Sequence, residues 1–299
     1  MKRSTLGLLL LQTVFVLSWS SGFIGAKLAA RSDGVFNVLF WRFLLVSVCL
    51  ALFLNVRLLK VSRARIRHHA VVGFLSQFLY LTCVYVAIQN GLPPGIAAII
   101  AALQPLMTAA LSSGSVNERS GGWQWLGLMI GFAGVSIVIS GQYRNSGADV
   151  GWLMYLLPLV SALGLTVATL YERRSAQVQS GDLALALFIQ SLLTLIGFAA
   201  AVLYTDTLSI PRAPDVLISI IWLTVFSTFL AYLSLWMLLR VMTATHVAAL
   251  VYLEPPVTLV WAALMFGDVI YASTYIGIAV VVAGLILVRL KQPAAACTS

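Results

Sequence analysis

Ten apolar runs of about twenty residues follow one another along this chain, and that spacing leaves few folds open. They cover 6–26, 36–56, 70–90, 93–113, 123–142, 150–170, 183–204, 216–238, 244–265 and 272–290. A hydrocarbon core of ~30 Å is crossed by about 20 helical residues rising ~1.5 Å each. Inside lipid every backbone amide must be bonded within its own segment, so runs of this length become helices. The connections between them are too short for a soluble domain. The expected fold class is all-α and integral to a membrane, with ten transmembrane helices. Charge content agrees, since 9% of the 299 residues are charged, where a soluble domain carries about 25%. The third and fourth runs almost merge, and Asn90-Gly91-Leu92-Pro93-Pro94-Gly95 divides them by stopping one helix and forcing a turn. The opening Met1-Lys2-Arg3 imitates a signal peptide, but the apolar run continues to about Ala30. That exceeds a signal core of about 7–15 residues, so the segment is read as a retained first span.

Lys and Arg positions orient the chain. With the N-terminus in the cytoplasm, thirteen fall inside: Lys2, Arg3, Arg57, Lys60, Arg63, Arg65, Arg67, Arg119, Arg173, Arg174, Arg240, Arg289 and Lys291. Four fall outside: Lys27, Arg31, Arg144 and Arg212. Both termini are expected in the cytoplasm, for a bacterial chain at the inner membrane. The net charge of +9 follows from this sidedness, so no nucleic-acid partner is implied. The basic run from Arg57 to Arg67 is read as a topology signal facing anionic lipid.

The chain also repeats itself. At an offset of 150, residues 98–138 align with 248–288 without a gap, and Leu103, Pro105, Thr108, Gly127 and Gly134 meet Leu253, Pro255, Thr258, Gly277 and Gly284. This predicts two five-helix repeats, 1–145 and 146–299. Five is odd, so the halves enter the membrane from opposite sides. Such inverted repeats are typical of secondary transporters and place a central cavity near the midplane, between the halves.

The most informative repeated stretch is Leu253-Glu254-Pro255-Pro256, echoed by Leu103-Gln104-Pro105. Glu254 lies 14 residues from both Arg240 and Asp268, about 21 Å along a helix from either flank. An acid at that depth costs about 2.5–3.5 kcal/mol, so it should face a cavity or a partner. The functional reading is a group that accepts a substrate ammonium or cycles a proton. The structural reading is a protonated acid bonded to a neighbouring helix. Gln104 is its neutral counterpart, expected to offer donors to the other end of a zwitterion. Pro105, Pro255 and Pro256 are read as helix breaks. Aromatic stripes on the third and eighth runs nominate Phe78, Tyr80, Tyr85, Tyr232 and Trp236 as cavity walls, with Gln77 as a polar group among them; packing or lipid contact is the alternative for each. Trp19 and Ser21 join the candidates because Trp19 sits mid-depth and its indole N–H needs a partner; close helix approach through the small residues is the alternative. Arg42 is the one basic residue well inside a span. It is read as an anchor that snorkels outward, with an ion pair or a gate as the alternative.

Ten helices in two halves resemble the EamA-type members of the drug/metabolite transporter superfamily. So do Leu17-Ser18-Trp19-Ser20-Ser21-Gly22-Phe23, Trp41-Arg42-Phe43, and the Gln104-Pro105 and Glu254-Pro255 helices with their loop acids Glu118 and Asp268. The resemblance spans nearly the whole chain, and amino-acid exporters of the YddG type are the nearest group within it. It implies a helical basket around a central cavity that exports amino acids or related metabolites.

The expected function is therefore secondary transport by alternating access, with small metabolites exported and amino acids bearing aromatic or bulky apolar side chains placed first. The alternative is a proton-coupled multidrug or organic-cation exporter. An intramembrane enzyme is disfavoured, because the spans hold neither paired acids nor a metal motif such as HExxH. No cofactor and no metal is expected; Cys49, Cys83 and Cys297 are too scattered for a site. The expected partners are a small-molecule substrate and the lipid bilayer, with the chain acting as a monomer.

Overall fold

Helix is the sole regular secondary structure among the described residues. The computed structural model describes residues 5–30, 34–54, 61–111, 122–145, 150–174, 183–239, 241, 250–251 and 253–290. In chain order the helices are α1 (Thr5–Ala30), α2 (Val35–Leu54), α3 (Arg63–Gln89), α4 (Pro94–Ala101), α5 (Gln104–Leu111) and α6 (Gly122–Asn145). There follow α7 (Trp152–Arg174), α8 (Leu183–Tyr204), α9 (214–239), α10 (Glu254–Phe266) and α11 (Ala272–Leu290). Among the described residues, six helices are long and apolar enough to cross a membrane by themselves, and four shorter apolar helices accompany them. The protein is a multi-pass membrane protein. Its packing fits that solvent: Leu264, Leu52 and Phe53 point outward, while Ser20, Ser21, Ser161 and Thr166 are fully enclosed. Polar groups turn inward because lipid offers them no partner.

Local chemistry explains the ends. Ser62 caps α3, its hydroxyl accepting the Arg65 amide at 3.3 Å, so the helix takes in Arg63, Arg65 and Arg67, ahead of the apolar run that begins at 70. Asn90 and Gly91 end α3, with Gly91 at φ 96°, and Pro94 then sits at the start of α4, where its missing N–H costs nothing. Gly267 closes α10 in the left-handed region, at φ 71°.

Two departures from ideal helix recur at equivalent places. α4 and α5 together fill the fourth apolar run but are separated by a turn at Ala102–Leu103, so Gln104 opens a new helix. Leu253 likewise precedes Glu254, which opens α10. The second departure is in the long helices. Residues Phe74–Leu79 of α3 and Leu223–Leu230 of α9 are π-helical, and they lie about 150 positions apart. Neither π turn is visible in the hydropathy of the chain.

Helix packing carries the symmetry. α6 runs against α11, α2 against α8, α1 against α9 and α10, and α7 against α3, α4 and α5. Exchanging the halves maps this set of neighbours onto itself. The direction can be read from the α6–α11 seam. A β-carbon placed on Gly284 would lie 2.6 Å from the Gly127 carbonyl oxygen, and one on Gly134 would lie 2.7 Å from that of Gly277. Further along, Gly141 faces Ser273. Positions rise on one helix as they fall on the other, so the two equivalent helices are antiparallel. A dyad relating antiparallel helices is perpendicular to their axes and lies in the membrane plane, as the inverted-repeat expectation requires.

Candidate functional site

A cavity of about 340 Å³ lies between the halves. That volume is in the lower part of the range used for small ligands. Helices α1, α2, α3, α5, α7, α8 and α9 all contribute to its wall, together with Val251 and Glu254. The two π turns place much of its polar lining: Ser76 and Gln77 from α3, Ser227 and Thr228 from α9. A π turn widens the helix locally and rotates the residues beyond it, and such turns are frequent at functional sites.

Of the residues nominated from sequence, Glu254, Gln104, Trp19, Gln77, Tyr80, Tyr85, Tyr232 and Pro105 line this cavity. Glu254 is 9% exposed and has no hydrogen-bond partner among the described residues. Opening α10, it takes the helix end where the dipole favours negative charge. Trp19 packs its ring 5.9 Å from that of Tyr232, joining α1 to α9. Gln77 is tied into a buried chain, donating to Gln190 at 3.2 Å and accepting from Thr194 at 3.4 Å.

Other nominated residues are placed elsewhere. Phe78 turns from the cavity and packs 4.9 Å from Phe198 on α8, against the bare face of Gly197. The stripe reading assumes one α-helical period through all of α3, and the π turn at Phe74–Leu79 breaks that period. Ser21 is fully buried; its hydroxyl donates to the Ser18 carbonyl at 2.6 Å, and its own carbonyl accepts the Trp222 indole N–H at 3.1 Å. Pro255 and Pro256 border a small separate void facing α4 and α11. The side chain of Trp236 lies outside the described residues, as does Glu118.

Gln104 differs from its expected role. Its Nε2 donates to the hydroxyls of Thr108 at 3.0 Å and Thr169 at 3.5 Å. Both hydroxyl hydrogens are already committed, Thr108 to the Gln104 carbonyl and Thr169 to that of Leu165. The atom facing them must therefore be the amide nitrogen, and both its hydrogens are used. Only the acceptor Oε1 remains for a ligand.

Arg42 is the residue that sequence reasoning underrates. Instead of snorkelling out, it lines the cavity at 5% exposure. It donates to Tyr85 at 3.3 Å, Thr228 at 3.0 Å and Ser227 at 3.4 Å. Its depth in the span is a signal, but the hydroxyls that hold it come from helices far away in the chain.

An ion pair between Lys27 of α1 and Asp268 after α10 joins the two halves. The Lys27 ammonium also lies 4.8 Å from the Phe266 ring centre. The second Asp268 oxygen is buried with no partner among the described residues, so removing the lysine leaves a carboxylate poorly compensated. Lys27→Met is expected to lower thermal stability by about 1 kcal/mol, and Lys27→Met combined with Asp268→Asn to recover most of the loss. Melting curves of the two single variants and the double variant test this; additive losses would show that the pair is not coupled.

The geometry agrees with the chain's likeness to known proteins. The EamA-like transporter family model matches residues 5–140 and again 152–290, one match in each half. A probable amino-acid metabolite efflux pump of Escherichia coli (strain K12) is 24% identical over 288 residues, covering 92% of each chain. An uncharacterized transporter of Archaeoglobus fulgidus is 25% identical over 300 residues, covering 95% of this chain and 97% of its own. The uncharacterized inner membrane transporter YedA of Escherichia coli (strain K12) is 23% identical over 275 residues, covering 92% and 88%. A solved crystal structure superposes with a TM-score of 0.63 over 96% of this chain and 98% of its own, at 18% identity, which speaks to the fold alone.

Proposed function

The chain belongs to the EamA-like transporter family, whose members are transporters rather than enzymes, and we propose that it is a secondary transporter exporting amino acids or closely related metabolites. The observation that carries this reading is the cavity itself: between two inverted halves, it holds Glu254 and Arg42 among the rings of Trp19, Phe23, Phe43, Tyr80, Tyr85 and Tyr232. Aromatic walls of this kind favour a substrate with an aromatic or bulky apolar side chain. The efflux role named for the Escherichia coli relative supports the direction. Alternating access follows from the repeats, taken as 1–145 and 146–299, because two inverted halves can exchange conformations and so exchange the open side. The count of Lys and Arg supports both termini in the cytoplasm of a bacterial inner-membrane protein. The breaks before Gln104 and Glu254 are the points where each half would flex.

The test is counterflow in proteoliposomes across a panel of amino acids and organic cations, with and without a proton gradient. Amino acids with large apolar side chains are expected to exchange. A panel in which lipophilic cations exchange and amino acids do not would favour the second reading, a proton-coupled multidrug exporter. That reading has Glu254 in its support, as an acid at the cavity that cycles a proton.

A further inference from the structure

The cavity holds a basic and an acidic side chain that do not meet. Arg42 and Glu254 both line it, both are more than nine-tenths buried, and no ion pair joins them. Placing either charge in a membrane interior without a counterion costs several kcal/mol. Arg42 is held to one wall by the hydroxyls of Tyr85 on α3 and Ser227 and Thr228 on α9. These are neutral acceptors, which orient the guanidinium without neutralising it. The Nε–H is buried and has no partner among the described residues. Thr228 cannot turn away to serve another group, because its own proton is given to the Leu223 carbonyl at 3.1 Å across the π turn. Glu254 stands on α10 with no partner of its own among the described residues.

We propose that Arg42 receives the carboxylate and Glu254 the ammonium of one zwitterionic α-amino acid, so that the site discriminates against amino-acid amides and N-acyl derivatives. This rests on the amino-acid reading above and narrows it. Gln104 is the poorer carboxylate donor, because it is uncharged and its amide nitrogen already faces Thr108 at 3.0 Å and Thr169 at 3.5 Å. Its oxygen is an acceptor, which a carboxylate cannot use. Arg42 is then the strongest donor at the cavity, and it brings a charge that no hydroxyl supplies. One positive and one negative wall also make the cavity neutral overall. It is matched to a ligand with both charges and mismatched to a ligand with either alone.

The test uses the purified full chain and three forms each of phenylalanine, tryptophan and leucine: the free amino acid, its amide, and its N-acetyl derivative. Binding is read by competition in proteoliposome counterflow. The wild-type protein is expected to prefer the free amino acid over both derivatives by about tenfold or more, the loss expected for one charged hydrogen bond. Arg42→Gln is expected to bring acid and amide close to parity while the preference over the N-acetyl form persists. Glu254→Gln is expected to do the reverse, and Arg42→Lys to restore part of the acid preference. Equal wild-type competition by acid and amide overturns the proposal while leaving amino-acid transport standing. Retention of the acid preference by folded Arg42→Gln also overturns it. If none of the nine compounds competes but a lipophilic cation does, the amino-acid reading falls and this proposal with it. The wild-type comparison needs no variant, so a misfolded Arg42→Gln still leaves the outcome decidable.

Discussion

Glu254→Gln is expected to lower transport by about tenfold or more while the protein remains folded and monodisperse in detergent. The change is nearly isosteric, so the cavity keeps its shape and loses only the capacity for negative charge. Glu254 borders the cavity and bonds to no described residue. A purely structural acid at this depth would be expected to hold a neighbouring helix through a hydrogen bond, and none is present among the described residues. Two assays separate its possible duties. If Glu254 binds the substrate ammonium, counterflow and gradient-driven uptake both fall. If it only carries a proton, counterflow survives, because substrate exchange needs no net proton movement, and gradient-driven uptake is lost. Full activity in both assays would remove Glu254 from the mechanism.

A second strong effect is expected at the α6–α11 seam. Gly284→Ala should lower the melting temperature, and Gly284→Leu should leave little folded protein. The β-carbon of the alanine would sit 2.6 Å from the Gly127 carbonyl oxygen and 3.1 Å from the Gly131 amide nitrogen. Both are backbone atoms of a packed helix, so no rotamer change relieves the overlap and the two helices must separate. Overpacking of this kind costs about 1–3 kcal/mol, and the seam offers little to offset it, since helix association in lipid depends on close van der Waals contact. Gly151 is the control, because a β-carbon there meets nothing within 4 Å. Equal melting curves for Gly284→Ala and Gly151→Ala would mean that the seam is not under compression.

How much of this protein is legible along the chain depends on how local the cause is. Pro93 and Pro94 divide α3 from α4 by chemistry contained within six residues, and that division is legible. So are the equivalent places of Gln104 and Glu254, since proline and hydropathy act over one or two turns. Phe78 is misplaced by its hydropathy pattern because the pattern carries no mark of an i→i+5 turn, and that turn sets which side of α3 faces the cavity. Arg42 reads as an anchor because its partner Thr228 is 186 residues away. Gln104 reads as a donor because the commitments of Thr108 and Thr169 depend on how α5 meets α7.

Solvent, fold class and symmetry are written in the order of the amino acids. Ten apolar runs require a membrane, and an odd number in each half requires inversion, whatever the details of packing. The chemistry of the cavity is not written there. Which rings face it, which donors are already used and which charges stand apart are set by contacts between distant helices and by the rotation that two π turns impose. Hydrophobic burial and backbone satisfaction are sums over a segment and can be read along it. Hydrogen-bond commitment is a property of particular atoms brought together, and it exists only once the helices have packed.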